Sequence, residues 1–311
     1  MTGLRATLRP LRTELLGVAG LTALVLLAAG AIAARLLAYD MPAACFDFSS
    51  VDPACVARQY DVAAYMSLAG NWGGMIAVGA AVLPAIAGVI LGIAAVAKEL
   101  DQRTAVLAWS VGPSRRRWLL QRVVPLLGVV VVLGIVSVQL GAAMLRLNNP
   151  GSETFPGQEF ERIGSTGFGP MAGGISAFGI TVVVGAMLGR ILPALLAAAA
   201  FVVFGALLIQ QGNERLMAGE SLVADVSLAG PGRQLDSLLR TPDGRIISWN
   251  EAFPAYADPE TGQLRAGMTE MTRYVPSEIA PAVAARYALL HVVVGLMALT
   301  LAFAVVERRS P

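Results

Sequence analysis

Lysine is almost absent from this chain: of its 23 basic residues only Lys98 is a lysine, and His291 is the one histidine. The residues before Lys98, Leu91–Gly92–Ile93–Ala94–Ala95–Val96–Ala97, lack the glycine-rich cradle that a phosphate-binding loop needs. ATP hydrolysis by that route is therefore excluded. Two cysteines and one histidine leave too few ligands for a Cys/His zinc site. Charge is scarce as well. Charged residues make up 14% of the sequence, against about 25% for a soluble domain. The apolar stretches contain no Ser/His/Asp set, paired carboxylates or HExxH motif, and almost no embedded charge of the kind that marks ion and proton pathways. The net charge of +2 gives no reason to expect nucleic-acid binding.

What the chain has in abundance is apolar length. Hydrophobic residues make up 56% of it, and the mean hydropathy is +0.67. Six stretches, at 15–37, 74–97, 119–147, 169–188, 191–210 and 285–306, are long enough to cross a bilayer as helices. The predicted fold class is an all-α polytopic membrane protein of the cell membrane. Arg5, Arg9 and Arg12 precede the first stretch and place the N-terminus inside. Counting alternately, Arg115–Arg117, Arg122, Arg190 and Arg308–Arg309 also fall inside, and so does the C-terminus. The segment 38–73 carries Asp40, Asp47, Asp52 and Asp61 against Arg58 and falls outside, as do 148–168 and 212–284. A cleaved signal peptide fits the first stretch poorly, because the run is long and no small-residue cleavage site follows it.

Several local readings follow. Cys45 and Cys55 lie in one outside segment and read most simply as a disulfide, with two free thiols as the alternative. Asp52–Pro53 has helix-start chemistry and leads towards the second span. Leu4, Leu8, Leu11 and Leu15 share a stripe beside three arginines, which fits an interfacial helix or the basic flank of a span. Pro84, Pro125 and Pro193 predict local kinks. Gln139 is the clearest candidate for a buried polar side chain, and His291 is expected to be structural and satisfied by a partner. Residues 212–284 are net acidic and rich in turn formers. Thr241–Pro242–Asp243–Gly244 between two aliphatic pairs predicts a hairpin, in an elaboration of a single transmembrane domain spanning 1–311.

The segment 97–120 is the informative interruption. It carries Glu99, Asp101, Arg103, the apolar turn Val106–Leu107–Ala108–Trp109, and then Arg115–Arg116–Arg117. Gly112–Pro113 ends the turn, and Ser114 can cap the next helix. Three arginines in a first helical turn oppose the helix dipole by about 0.3–1 kcal/mol each. Contact with anionic headgroups returns about 1 kcal/mol apiece, so Arg115, Arg116 and Arg117 read as a lipid and topology anchor.

The run VLPAIAGVILGIAAVAKELDQRTAVLAWSVGPSRRRWLLQRV, residues 82–123, resembles the permeases of ABC-2 type ABC transporters, in particular their actinobacterial branch. Glu99, Thr104, Leu107, Ala108, Trp109, Ser114, Arg115–Arg117 and Trp118 carry the likeness. The paired cysteines, residues 160–201 and residues 283–309 are similar too. The pattern departs at Arg103, where a glycine is usual, and in the length of the last outside segment. The resemblance implies a six-span subunit that pairs with a second permease, identical or homologous. It also implies two cytoplasmic ATPase subunits that bind the ATP and magnesium, so that this chain holds no cofactor and is not itself an enzyme. The cytoplasmic loop at about 98–118 would dock on the ATPase, with Glu99, Thr104, Leu107 and Trp109 as coupling residues. Leu107 and Trp109 suit the part, since apolar and aromatic anchors dominate contact energetics. The implied function is export of an amphiphilic substrate such as a drug, lipid or peptide antibiotic. A membrane-embedded sensor, with 38–73 and 212–284 receiving an outside ligand, is the competing reading. A secondary carrier is disfavoured by the lack of embedded charge.

Overall fold

In the computed structural model the described residues are 11–46, 53–105, 109, 114–148, 158–226, 229–256 and 267–309. All six apolar stretches form helices of membrane-spanning length: Arg12–Leu37, Gln59–Asp101, Arg115–Asn148, Gly169–Leu188, Ile191–Gly219 and Ser277–Arg308. They are called the first to sixth spans below. A short helix, Pro53–Ala57, precedes the second span and opens on proline as its sequence predicts; Asp52 lies outside the described residues. The second span is not uniform. Ala69–Gly73 is a π-helical turn, and a side chain at Gly73 would collide with that of Asn148 at the end of the third span. At Val96 the backbone leaves helical geometry (φ −133°, ψ −54°), and the chain re-enters a helix at Ala97–Asp101.

The spans divide into a centre and a rim. In the fourth span 67% of the apolar window is buried, against 11% in the first and fifth, so the fourth is the element around which the others pack. Its glycines make this possible. A Cβ on Gly88 of the second span would lie 2.7 Å from the Gly174 carbonyl oxygen, and one on Gly179 would lie 2.3 Å from that of Gly295 in the sixth. These crossings bring backbone against backbone, the small-residue packing that substitutes for a hydrophobic drive inside a bilayer. Leu91, Leu119, Leu126, Val130, Phe178 and Val182 fill the core beside them. Gly189, in left-handed geometry (φ +65°), ends the fourth span and donates its N–H to the Gly185 carbonyl at 2.9 Å. Pro84 and Pro125 lie inside their helices.

Two polar expectations are corrected. Gln139 is exposed, and the buried polar group of the third span is Ser137. The buried His291 has no hydrogen-bond partner for either ring nitrogen among the described residues; its neighbour is the Tyr287 ring, 4.8 Å away edge-on.

At the end of the first span opposite Glu14, Cys45 and Cys55 form a disulfide, with Cα atoms 5.1 Å apart. Arg58 donates to the carbonyls of Tyr39 (2.6 Å) and Asp40 (3.1 Å), and pairs with Asp61 at 3.3 Å. Tyr65 sits between Tyr39 and Phe46 and donates its hydroxyl to the Leu147 carbonyl. The disulfide closes a loop of sequence separation 10. Its loss in Cys45→Ser/Cys55→Ser is expected to lower stability by about 2–3 kcal/mol on loop-closure entropy. Thermal unfolding in detergent with and without reductant checks this. An unchanged midpoint would show that the bond constrains nothing.

A second compact unit comprises residues 153–162 and 210–284. It contains a four-stranded antiparallel sheet of β1 (Leu222–Asp225), β2 (Gly232–Arg240), β3 (Ile246–Ser248) and β4 (Thr269–Pro276), in the order β1-β4-β2-β3. The sequence predicted only a hairpin in an elaboration of one all-α domain. That hairpin is present as β2–β3, with Leu239 opposite Ile247, but it is half of a larger sheet. In its turn, a hydrogen bond from the Thr241 hydroxyl and the Arg245 guanidinium at 2.6 Å hold the Asp243 carboxyl below its ordinary pKa. Leu238, Leu239, Met271 and Val275 are buried, and Trp249–Tyr256 packs on β2 and β3. β2 is bulged between Gln234 and Asp236.

Candidate functional site

One carboxylate gathers described residues on both sides of the turn between the second and third spans. Glu99 follows the break at Val96, and its side chain turns inward. One of its oxygens lies 2.8 Å from the Arg122 guanidinium, and the other accepts a hydrogen bond from the Thr104 hydroxyl at 2.8 Å. Both partners of the ion pair are nearly buried, with side-chain exposures of 13% and 11%. A pair in that position is held strongly, because freeing either charge would leave the other without solvent or partner.

From Arg122 the contacts run on through aromatic faces. Its guanidinium lies 4.9 Å over the Trp118 ring, and Trp118 meets Trp109 edge-to-face at 5.6 Å. Arg115 covers the other part of Trp109, also at 4.9 Å. Each such cation–π contact contributes about 0.5–2 kcal/mol according to its burial. Arg115, Trp118 and Arg122 stand at i, i+3 and i+7, one stripe of a helix, and that periodicity brings them to the turn together.

Arg115 also donates to the carbonyls of Glu307 (3.2 Å) and Arg309 at the end of the sixth span. Arg309 in turn donates to the Ala186 carbonyl at the end of the fourth. Last-turn carbonyls carry the negative end of the helix dipole, so both arginines sit where a cation is favoured. Lys98 completes the assembly by pairing with Glu14 of the first span at 2.6 Å. Side chains of the turn, together with Arg309, thus tie the ends of the first, second, third, fourth and sixth spans.

The predicted site residues are distributed as follows. Glu99, Thr104 and Trp109 meet in this assembly, with Trp109 half-buried. Leu107 lies outside the described residues, as do Val106, Ala108 and Gly112–Pro113. Ser114 holds the capping position, its carbonyl accepting the Trp118 N–H at 3.0 Å. The arginine triplet splits in function: Arg115 is occupied within the protein, while Arg116 and Arg117 are exposed. Glu14 was not singled out in the sequence, and Lys98, Arg122 and Arg309 stood out there only as the lone lysine and as inside charges. For Arg122 the signal was the stripe it shares with Arg115 and Trp118.

Arg103 has φ +58°, in the left-handed region. That accounts for the glycine usual at this place in the pattern the loop resembles. A non-glycine residue there costs about 1 kcal/mol or more. Arg103→Gly is expected to stabilise the protein by about 0.5–1 kcal/mol, after allowing for the added freedom of the unfolded glycine. Arg103→Ala, which keeps the strain, should give no gain. Melting curves of the three proteins decide the point; equal gains in both variants would remove backbone strain as the cause.

Six membrane-length helices among the described residues, five of them joined at one end by a polar and aromatic brace around one inter-span turn, define a multi-pass membrane protein. The family described as ABC-2 membrane transporter related matches residues 15–212, more than half of the chain, and the chain belongs to that family. It is a permease of the ABC-2 type, a transmembrane subunit of an ABC transporter. No curated protein and no solved structure matched the chain.

Proposed function

We propose that this subunit exports an amphiphilic compound across the plasma membrane, and that ATP hydrolysis on a separate subunit drives the movement through the turn at 97–118. Two ATPase copies and a second permease, identical or homologous, would complete the complex. The observation that carries this reading is the brace. A load applied at Trp109 or Thr104 is passed by Glu99, Arg122 and Arg115 to the ends of the second, third and sixth spans, through side chains pinned by ion-pair, hydrogen-bond and ring contacts. A loop serving only to connect two helices has no need of such a fixture. The disulfide supports placing the opposite end outside the cell, where thiols oxidise. The 212–284 segment then lies outside as well.

The test is reconstitution. The chain is co-expressed with a candidate ABC ATPase subunit from the same genome, purified, placed in vesicles, and assayed for ATP-dependent movement of a fluorescent amphiphile. Stable co-elution with ATP-driven dye transport supports the proposal. A chain that elutes without any ATPase and moves no dye overturns it.

One observation favours a second role. The compact unit at 210–284 has a groove of about 690 Å³ beside the β2 bulge, lined in part by Asp236, Trp249, Asn250 and Glu270. This is the place where a sensor would take a ligand. Ligand-dependent ATPase activity without any transport would favour the sensor reading.

A further inference from the structure

The end of the first span that carries no brace holds a different kind of site. Arg35, Tyr39, Ser67, Asn71 and Trp72 line a groove of about 450 Å³ between the last turn of the first span and the π-helical turn of the second. We propose that this groove binds the phosphodiester headgroup of an anionic lipid, with the acyl chains lying along the first span.

The chemistry of the walls sets the ligand class. Arg35 and Arg58 both flank the turn at Tyr39, and they differ. Arg58 is fully engaged with the Tyr39 and Asp40 carbonyls and with Asp61. Arg35 is exposed and has no carboxylate partner among the described residues. Its planar fork matches two oxygens of a phosphodiester. The Ser67 hydroxyl accepts the Asn71 amide at 3.3 Å, which leaves its own proton to give. No carboxylate lines the groove, and the charged side chain on its wall is the Arg35 guanidinium. An anion is the complement of such a surface.

The setting identifies the anion as a lipid rather than a soluble one. Trp72 is 56% exposed at the groove, the amphipathic ring that marks the headgroup level of a bilayer. Leu24 and Leu27 lie on the Arg35 stripe of the first span, at i−11 and i−8, and are exposed at 64% and 73%. A headgroup seated on Arg35 would therefore have apolar helix surface running below it for its chains. The walls are also held in place. Arg58 fixes the Tyr39–Asp40 turn and the disulfide closes the loop beyond it, while the π-helical turn sets Asn71 and Trp72 at the groove mouth. π-turns of this kind recur where a helix has been reshaped around a ligand.

The proposal requires only that the chain spans a membrane and does not depend on what it transports. It can therefore fail or succeed separately from the exporter reading. The whole chain is placed in nanodiscs of phosphatidylcholine containing brominated phosphatidylglycerol or brominated phosphatidylcholine, and tryptophan fluorescence is measured against a Trp72→Phe background. The Trp72 component is expected to be quenched by the brominated phosphatidylglycerol at about five- to tenfold lower mole fraction than by the zwitterionic lipid. Arg35→Ala should abolish the preference and Arg35→Lys should retain part of it. Ser67→Ala should weaken it, and serves as the second variant if Arg35→Ala does not fold. Correct folding is checked by disulfide formation and elution volume. Equal quenching by the two lipids in the wild-type protein overturns the proposal. So does a preference that survives Arg35→Ala, or one that glycerol phosphate in solution displaces, since the last would make the ligand a soluble anion. A Trp72 component shielded from both lipids would show that a second protein chain covers the groove, and would also overturn it.

Discussion

Glu99→Ala is expected to lower the stability of the membrane domain by about 3–5 kcal/mol, because it strands the Arg122 guanidinium in a nearly closed environment. The loss exceeds what a surface ion pair would give, at most about 1 kcal/mol, since neither charge can recover its hydration by moving into water. The Thr104 hydroxyl loses its acceptor at the same time. Arg122→Met combined with Glu99→Gln should recover much of the stability, because no unpaired charge then remains and the methionine keeps its contact with Trp118. Melting of the purified variants in detergent gives the first readout, and ATP-driven transport in vesicles gives the second. If Glu99→Ala melts within about 0.5 kcal/mol of the parent, the pair is solvent-screened and does not organise the turn.

The second large effect is expected at the turn's apolar residues. Leu107→Ala with Trp109→Ala should weaken capture of the ATPase by more than tenfold, since truncating a buried contact anchor costs about 2 kcal/mol or more. Arg116→Ala, at an exposed position, should do much less. The structure adds a control that separates contact from support. Trp109 contacts both Arg115 and Trp118, so removing it also loosens the brace. Arg115→Ala loosens the same tryptophan while leaving both anchors in the chain. If Arg115→Ala alone reproduces the defect, Trp109 acts by supporting the turn. If the double variant couples normally and Arg116→Ala does not, the exposed arginines are the docking element.

The helices were legible because a bilayer imposes one rule on every span: about 20 apolar residues with charge at the ends. Even the helix start at Pro53 and the Thr241–Gly244 turn follow from local chemistry. What stayed hidden depends on pairing across distance. β1 and β4 lie far apart in the chain and have no turn between them, so nothing local announces that they form a sheet with the hairpin. The site divides along the same line. Glu99, Thr104 and Trp109 stand close together in one polar segment and drew attention as a group. Glu14 and Arg309, near opposite ends of the chain, look like ordinary flanking charges until the fold brings each to its partner. Arg115 is the instructive case. The dipole of its own helix disfavours a cation there, and carbonyls at the far end of another helix accept its hydrogen bonds.

Lys98 gives the chain an unplanned reporter. Amine-reactive probes find only one lysine side chain in these 311 residues, and that nitrogen is clasped by Glu14 where the first and second spans meet. The rate at which it becomes labelled thus tracks how far that clasp is open, with no engineered residue required. Run with and without trapped nucleotide on a partner ATPase, the same reaction would time the parting of two helices from within the native sequence.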